Sequence, residues 1–373
     1  MLTVPFNKPA FPERAFEHMR GAIERGYLAG DGHFTRTCEQ WIEARLGVER
    51  ALLTTSGTSA LEMALLLLDL GPGDEVVLPS FTFVSCANAV VLRGATPVFA
   101  DIDPVTLSIT IDTISKCVTP RTRAVMAVHY AGLSRGVVEL ADWCRVRDIA
   151  FVEDAAHAFL GLDGDRHSGT IGDLAAFSFH ETKNFSMGEG GALICNSTHF
   201  AERAEIIREK GTNRKQFFKG LVDKYSWVDV GSSYVPSDLL AAVLWSQLED
   251  AESICAQRSA SWRRYRSELT DWSAEHNVRL PLDDPGHTHH GFFLLFDNLV
   301  KRDRFLDFAR ANGVNAVFHY LPLERSPFGL KFAQHECPVA NAVADGLARL
   351  PLFPGMGEEE CEHVIDVVRR FTP

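Results

Sequence analysis

A chain of 373 residues, 46% hydrophobic and 23% charged, is long enough for a large core, and its length favours two domains over three. Its formal net charge of −12, without any block of consecutive basic residues, argues against a nucleic-acid partner. The longest apolar run, Leu61 to Leu70, is broken by Glu62 and Asp69 and is too short to span a bilayer. The eight cysteines contain no C-x-x-C pair, which favours reduced thiols over a disulfide framework or a zinc site, so no metal is expected. The first residues lack the charged start, apolar centre and cleavage site of a secretion signal, and a cytoplasmic location is expected.

In chain order, three prolines (Pro5, Pro9, Pro12) mark an arm, Arg14 to Glu24 reads as a helix, and Leu28 to Gly32 reads as a glycine-rich loop. A second amphipathic helix follows, Thr35 to Leu46, with Trp41, Ile42 and Leu46 turned to a core. A short strand from Ala51 then runs into Ser56-Gly57-Thr58-Ser59 and a strongly helical stretch. Such a first turn offers unpaired N–H groups, hydroxyls and a positive dipole end, an anion seat or a plain N-cap.

Glu75 to Leu78, Thr96 to Asp101, Ala124 to His129 and Ile149 to Glu153 read as strands. Helices at Ser85 to Leu92, Ile111 to Val118 and Val137 to Arg147 separate them. This alternation predicts a mostly parallel sheet covered on both faces, with ligands beyond the carboxyl ends of its strands. Ser56 to Ser59, Ser80 to Phe83, His129, Asp154 to His157 and His180 to Lys183 all follow strands and should meet on one rim. Beyond the helix Ala201 to Gly211 lies a long polar and aromatic loop with Arg214, Lys215, Phe217, Phe218 and Lys219, of a length that favours binding over mere connection. Ser237 to Leu269 reads as one long helix or two in series. After it come a strand (Gly291 to Phe296), a helix (Arg302 to Asn312), a strand (Val314 to His319) and helices at Val339 to Leu350 and Glu358 to Phe371. The expected domains are residues 1–250 and a smaller α+β unit, 251–373.

Two stretches carry chemistry. Ala175 to Phe179 reads as a buried strand delivering Lys183 onto a loop that breaks into Gly188, Gly190 and Gly191. An amine at such a place is desolvated, which disfavours its charge and readies it for a Schiff base with a carbonyl. About thirty residues upstream, a separation that β-crossovers require, Phe151-Val152-Glu153-Asp154 ends a strand in an acid. Lysine with strand-end aspartate is the pair pyridoxal 5'-phosphate needs: the amine for its aldehyde, the carboxylate for its ring nitrogen.

With these residues in view, the chain resembles the sugar-nucleotide aminotransferases of the DegT/StrS group, fold-type I pyridoxal phosphate enzymes, over nearly its whole length. The strings that carry the likeness include Leu28 to Arg36, Pro79 to Ser85, Val128 to Gly132, Val152 to Ala156, Phe177 to Asn184, Arg208 to Arg214 and Phe318 to Leu323. Within the group it is most similar to the dTDP-4-amino-4,6-dideoxygalactose transaminases, through Phe179 to Asn184 and the loop Arg208 to Lys224. The resemblance implies an α/β fold, with a mostly parallel sheet of the seven-stranded type sandwiched by helices and a smaller C-terminal α+β unit. It also implies a homodimer with shared active sites.

By position it makes Lys183 and Asp154 catalytic, and Ser56, Gly57, Thr58 and Ser178 phosphate ligands. Phe83 becomes the stacking ring, unless it is a core phenylalanine, and His157 lies near the phenolic oxygen. A phosphate ligand from the partner subunit, an asparagine in many relatives, falls here on Ser233, and Glu324 replaces a histidine. Substrate contacts are expected at Gly30, Asp31, His180, Arg214, Lys215 and His319, although His129 and His319 also read as core histidines and Arg208 as either an anion receptor or a solvated helix face. Lysine at 183, where related dehydratases have histidine, argues for amino transfer. The expected substrates are a dTDP-linked keto-sugar, dTDP-4-dehydro-6-deoxyglucose, and L-glutamate. Alternatives are a 3-keto dTDP-sugar, a GDP- or UDP-4-keto sugar, or a non-catalytic sugar-nucleotide-binding regulator. A nicotinamide dehydrogenase would need a G-x-G-x-x-G after the first strand, which is missing.

Overall fold

The apolar runs pair side by side in the computed structural model, which describes residues 2–218 and 220–373. Its strands are β1 Arg50–Thr54, β2 Glu75–Pro79, β3 Thr96–Ala100, β4 Thr122–Val128, β5 Ala150–Asp154, β6 Leu162–Asp163, β7 Arg166–His167, β8 Leu174–Ser178, β9 Gly191–Cys195, β10 Phe292–Leu295, β11 Val317–Phe318 and β12 Leu347–Leu350. Seven form one sheet in the order β1-β9-β8-β5-β4-β2-β3. Only β9 opposes its neighbours; the other adjacent pairs are parallel. Six strands therefore deliver their carboxyl ends to one edge, as the alternation of strands and helices predicts.

Helices cover both faces because the strands are apolar on both. On one side the Gly57–Leu67 helix packs on β8 and β9, burying Leu61, Met63, Leu65 and Leu66. On the other, Phe177 and the loop residues Phe179 and Phe185 meet Phe159 edge-on, with ring centroids 4.9, 5.2 and 5.3 Å away. Each such ring contributes about 1.5–3 kcal/mol by leaving water. Together they anchor the chain on either side of Lys183 in the core.

The C-terminal part holds a second sheet, β10-β12-β11, antiparallel throughout. Its core joins Trp262, Tyr265, Phe292 and Phe305 to Val4 of the N-terminal arm, which exchanges backbone bonds with Gly313 and Asn315. One reading of the sequence changes here. The helix expected from Val339 to Leu350 ends at Gly346, and Leu347 to Leu350 forms the central strand β12. Leu-Ala-Arg-Leu has the propensity of a helix, but pairing with β10 and β11 overrides it. Of the two forms open to the stretch after Ser237, it takes that of two helices in series, Asp238–Leu248 and Ala251–Glu275. The loop after Gly211 contains a short helix, Arg214–Phe218, and is closed by a Thr212–Trp227 bridge.

Candidate active site

A cavity of about 440 Å3 opens where the parallel strands end, a volume typical of small-molecule sites. After β1 come Ser56, Gly57 and Thr58; after β2, Thr82, Phe83 and Ser85; after β5, Asp154 and His157; after β8, His180 and Lys183. Phe6, His290, His319, Tyr320 and Arg349 close the far wall.

Two helices start at its rim. Ser56 caps the Gly57–Leu67 helix by accepting the Ser59 N–H at 3.0 Å, and Phe83 precedes the Val84–Leu92 helix. The hydroxyls of Thr58 and Ser85 bond at 2.7 Å, so both N-termini present hydroxyl and N–H groups to the same space. Gly191 permits the packing behind this turn: a Cβ there would stand 2.5 Å from the Gly57 nitrogen. Ser178 ends β8 and lines the cavity below Gly57. Phe83 is 55% exposed and lines the cavity, which removes the reading of it as a core residue.

Asp154 ends β5, its carboxylate accepting the Ala156 N–H at 3.0 Å and the Cys86 thiol at 2.9 Å. Burial and the neighbouring carboxylate push the Cys86 pKa well up, so the thiol stays protonated and donates. Glu153, one residue earlier on the opposite face, is fully buried and accepts from His129 and from the N–H groups of Gly169, Ile171 and Gly172. Burial alone would raise its pKa; these donors outweigh it and hold the carboxyl low. His129 is thus a partnered core histidine.

Lys183 sits in a loop whose ends are tied by Phe179 N–H to Gly190 O and Glu181 N–H to Gly188 O, both 2.8 Å. Asn184 donates to Thr288 O at 3.0 Å and accepts from His290 at 2.9 Å, and Gln247 brackets Ser186 from both sides of its peptide. Burial pulls the Lys183 pKa down to about 8; Asp154 opposes the shift and Arg349 adds to it. An amine held near neutrality beside a carboxylate, with two helix N-termini on the same cavity, is equipped to bind a carbonyl compound bearing a phosphate.

A family model for the DegT/DnrJ/EryC1/StrS aminotransferases matches residues 10–369. The chain belongs to this family. It is 33% identical over 346 residues, 90% of this chain and 89% of the other, to the dTDP-4-dehydro-2,3,6-trideoxy-D-glucose 4-aminotransferase of Saccharopolyspora spinosa. Its fold matches the aminotransferase TlmJ of Streptoalloteichus hindustanus at a TM-score of 0.90 and 30% identity, covering 99% of this chain and 98% of that one. DesV of S. venezuelae matches at 0.90 and 29% over the same shares.

The protein is accordingly an aminotransferase with pyridoxal 5'-phosphate as cofactor. The residues present fit that group: an amine for the aldehyde, a carboxylate for the pyridine nitrogen, and two hydroxyl-lined helix N-termini for the phosphate share one cavity. His157 accepts the Ala131 N–H at Nδ1, which as a neutral ring leaves Nε2 as its donor, and it stacks on His290 at 4.0 Å. Burial first, then Lys183 and Arg349, drive its pKa well down and keep it neutral.

Other expected site residues of this aminotransferase lie elsewhere in the chain. Asp31, Arg214 and Lys215 line a separate charged cleft of about 650 Å3. There Lys215 pairs with Asp31 at 3.3 Å and Glu205 at 3.4 Å, and Arg214 with Glu209 at 3.7 Å. Gly30 packs against Val235 and Pro236, and Ser233 is exposed beside Glu209, outside its own chain's cavity. Lys219 lies outside the described residues. Arg208 is neither a solvated face nor an open anion receptor: it is fully buried, paired with Glu39 at 2.5 Å and Asp31 at 3.0 Å. Glu324 is buried against Ser80, away from the cavity.

Cys86, His290, Arg349 and Phe6 belong to the site and escaped the sequence reading. Arg349 left one signal, a single charge inside Leu347-Ala348-Arg349-Leu350-Pro351-Leu352; His290 left another, three histidines within four residues ahead of β10.

Proposed function

We propose that this aminotransferase moves the amino group of L-glutamate to the keto carbon of dTDP-4-dehydro-6-deoxyglucose, giving dTDP-4-amino-4,6-dideoxygalactose. The observation that carries the chemistry is the common cavity of Lys183 and Asp154. The dTDP-linked 4-keto sugar is supported by the S. spinosa relative, whose name specifies that class and that carbon.

Bound pyridoxal phosphate supplies an electron sink for the electrons released at the donor's α-carbon. Lys183 would hold its aldehyde carbon, Asp154 its ring nitrogen, and Ser56, Gly57, Thr58 and Ser178 its phosphate, with Phe83 against the ring face and the His157 Nε2–H toward the phenolic oxygen. The Lys183 amine, when free, would be the base that takes, holds and gives back the proton of the donor's Cα. Its pKa of about 8 makes both directions accessible near neutrality. His180 and His319, which line the same cavity, are assigned to the sugar.

Gly30, Asp31, Arg214, Lys215 and Ser233 are assigned to the cavity of a second copy in a homodimer, Ser233 as a phosphate ligand. Sedimentation should give a dimer, and Lys215→Ala should raise the KM for the sugar nucleotide more than that for glutamate; a monomer with full activity would remove this assignment. For the reaction itself, the protein with glutamate and a panel of dTDP-, UDP- and GDP-linked 3- and 4-keto sugars should aminate the dTDP 4-keto compound, read as the amine position by NMR. Lys183→Ala should lose both turnover and the visible absorption of the lysine-bound cofactor. Preference for a 3-keto or UDP-linked sugar would refute the substrate, and turnover by Lys183→Ala the mechanism.

A further inference from the structure

The bonds around His290, two residues ahead of β10, fix where its proton sits. Asn184 donates its amide Nδ2–H to Thr288 O at 3.0 Å, which turns its Oδ1 to His290 Nδ1, 2.9 Å away. An amide oxygen only accepts, so His290 carries its proton on Nδ1. Burial first, then His157, Arg349 and Lys183 drive its pKa well down, and the neutral ring keeps a lone pair on Nε2. His157, stacked on it at 4.0 Å and 17°, is the opposite tautomer: its Nδ1 accepts the Ala131 N–H at 3.3 Å, and its proton is on Nε2. The stacked pair offers the cavity one donor and one acceptor.

The acceptor is held in place and has no partner. Arg258 donates to His290 O at 2.7 Å, the Trp262 indole to Gly291 O at 3.1 Å, and the Gly291 N–H to Ala131 O at 3.2 Å, so the backbone behind the ring is fixed. His290 is 2% exposed and lines the cavity, and no described residue donates to its Nε2. A buried acceptor left empty is costly, so whatever fills the cavity should bring it an O–H or N–H. The phenolic oxygen of the cofactor, assigned to the His157 Nε2–H, is itself an acceptor and cannot fill it. Other acceptors on the wall are engaged. Asp154 is assigned to the ring nitrogen, and exposed Glu189 lies 3.6 Å from His180. The nitrogens of His319 face Arg349 at 3.1 and 3.4 Å, and Arg349 lies 5.0 Å over the Phe6 ring.

We infer that His290 Nε2 accepts the hydroxyl hydrogen at C3 of the keto-sugar and thereby selects sugars that carry this hydroxyl. The inference rests on the function proposed above. The keto carbon must reach Lys183, and His290 is fastened to Asn184, the next residue. Of the two carbons beside C4, C5 bears the ring oxygen and a methyl group, neither of which donates, and C3 bears the hydroxyl. The donor next to the reacting carbon thus meets an acceptor next to the reacting lysine, and a site built to bond a substrate hydroxyl rejects the analogue that lacks it. The competitor for Nε2 is an N–H of the Lys183 amine itself, and the experiment separates the two.

Binding of dTDP-4-dehydro-6-deoxyglucose and of its 2-deoxy and 3-deoxy analogues to the pyridoxal form, which has no amino group to give, is measured by calorimetry. Turnover of the same three sugars is measured with glutamate. Wild type should bind and aminate the 3-deoxy sugar about ten- to a hundredfold less well than the parent, the scale of a stranded buried acceptor, and the 2-deoxy sugar within about threefold of it. His290→Phe keeps the stacked ring without the acceptor, so its preference for the parent over the 3-deoxy sugar should shrink to less than about threefold. His290→Gln, whose amide both donates and accepts, should keep part of the preference. Losing the bond to Asn184 weakens all three sugars alike, so the ratio reads the contact. In 15N spectra of wild type, His290 Nε2 should be unprotonated, and its signal should move with the parent sugar and not with the 3-deoxy one. Equal binding of parent and 3-deoxy sugar by wild type, a preference that survives in His290→Phe, or a protonated Nε2 would each overturn the inference. The first of these, joined to an equal loss for all three sugars in His290→Phe, would give Nε2 to Lys183. If wild type prefers the parent through His290 yet transfers no amino group, the function proposed above fails and the contact stands.

Discussion

Arg208 and Arg349 are both withdrawn from bulk water, at 0% and 8% exposure, but acids surround the first and aromatic rings the second. Arg208 ties the Thr198–Arg208 helix to Glu39, to Asp31 of the glycine-rich loop and to the backbone oxygen of Leu53 on β1. Its charge is neutralised within the chain, and neither it nor its partners line the cavity of Lys183. Arg349 joins no acid among the described residues and lines the cavity. A buried cation complete in the folded chain is architecture; one left incomplete is reserved for whatever the cavity takes in.

The comparison breaks most visibly in stability. Arg208→Met takes from Glu39, 1% exposed, the nearer of its two arginines, leaving Arg50 at 3.8 Å, and leaves Asp31 with Lys215; breaking a buried pair costs up to about 3–5 kcal/mol. Arg349→Met removes a charge that lacked a partner and should change stability by less than about 1 kcal/mol, or raise it. Urea unfolding of the two variants measures the difference. Comparable losses from both would mean that Arg349 is structural as well.

The second expectation concerns pH. Lys183 reacts with a carbonyl only as the neutral amine, and burial brings its pKa from 10.5 to about 8. The rate at which the cofactor-free protein takes up pyridoxal phosphate should therefore rise with pH and level off above about 8, where an ordinary lysine would still be mostly protonated. Arg349 lowers this pKa and Asp154 raises it. Removing the Arg349 charge should thus move the midpoint to higher pH, whereas Arg208, outside the cavity, should leave it unmoved. A midpoint near 10 in wild type would show that the amine is hydrated after all.

The strand ends and the glycine loop were legible in the sequence because each is local: a run of apolar residues, an acid or a lysine after it, then residues that break the run. That is enough to name Lys183, Asp154 and the Ser56 to Thr58 turn, and to set the parallel sheet. Arg349 was hidden by one misread element. As part of a helix from Val339 to Leu350 it would be a surface charge; as the third residue of β12 it alternates away from Ala348 and Leu350 and enters the cavity. Propensity does not decide this, since the pairing partners of β12 lie 30 to 58 residues back along the chain. Arg208 misled for the opposite reason: its acids, Glu39 and Asp31, are remote in sequence, so nothing local announced that it was spoken for.

Cys86 offers the finest test, because it separates holding the cofactor from choosing the substrate. Its thiol and the Ala156 N–H are the two donors on the Asp154 carboxylate. Cys86→Ala removes one of them and leaves the backbone donor in place. A thiol is a weak donor, so its bond to the carboxylate stays in the ordinary range of about 0.5–1.5 kcal/mol net, and kcat/KM should fall about two- to tenfold. Asp154 serves the cofactor in both half-reactions, so glutamate and amino sugar should lose equally, and Cys86→Ser, which keeps a donor, should recover most of the loss. A Cys86→Ala defect confined to one half would mean that the thiol acts on a substrate and not through Asp154.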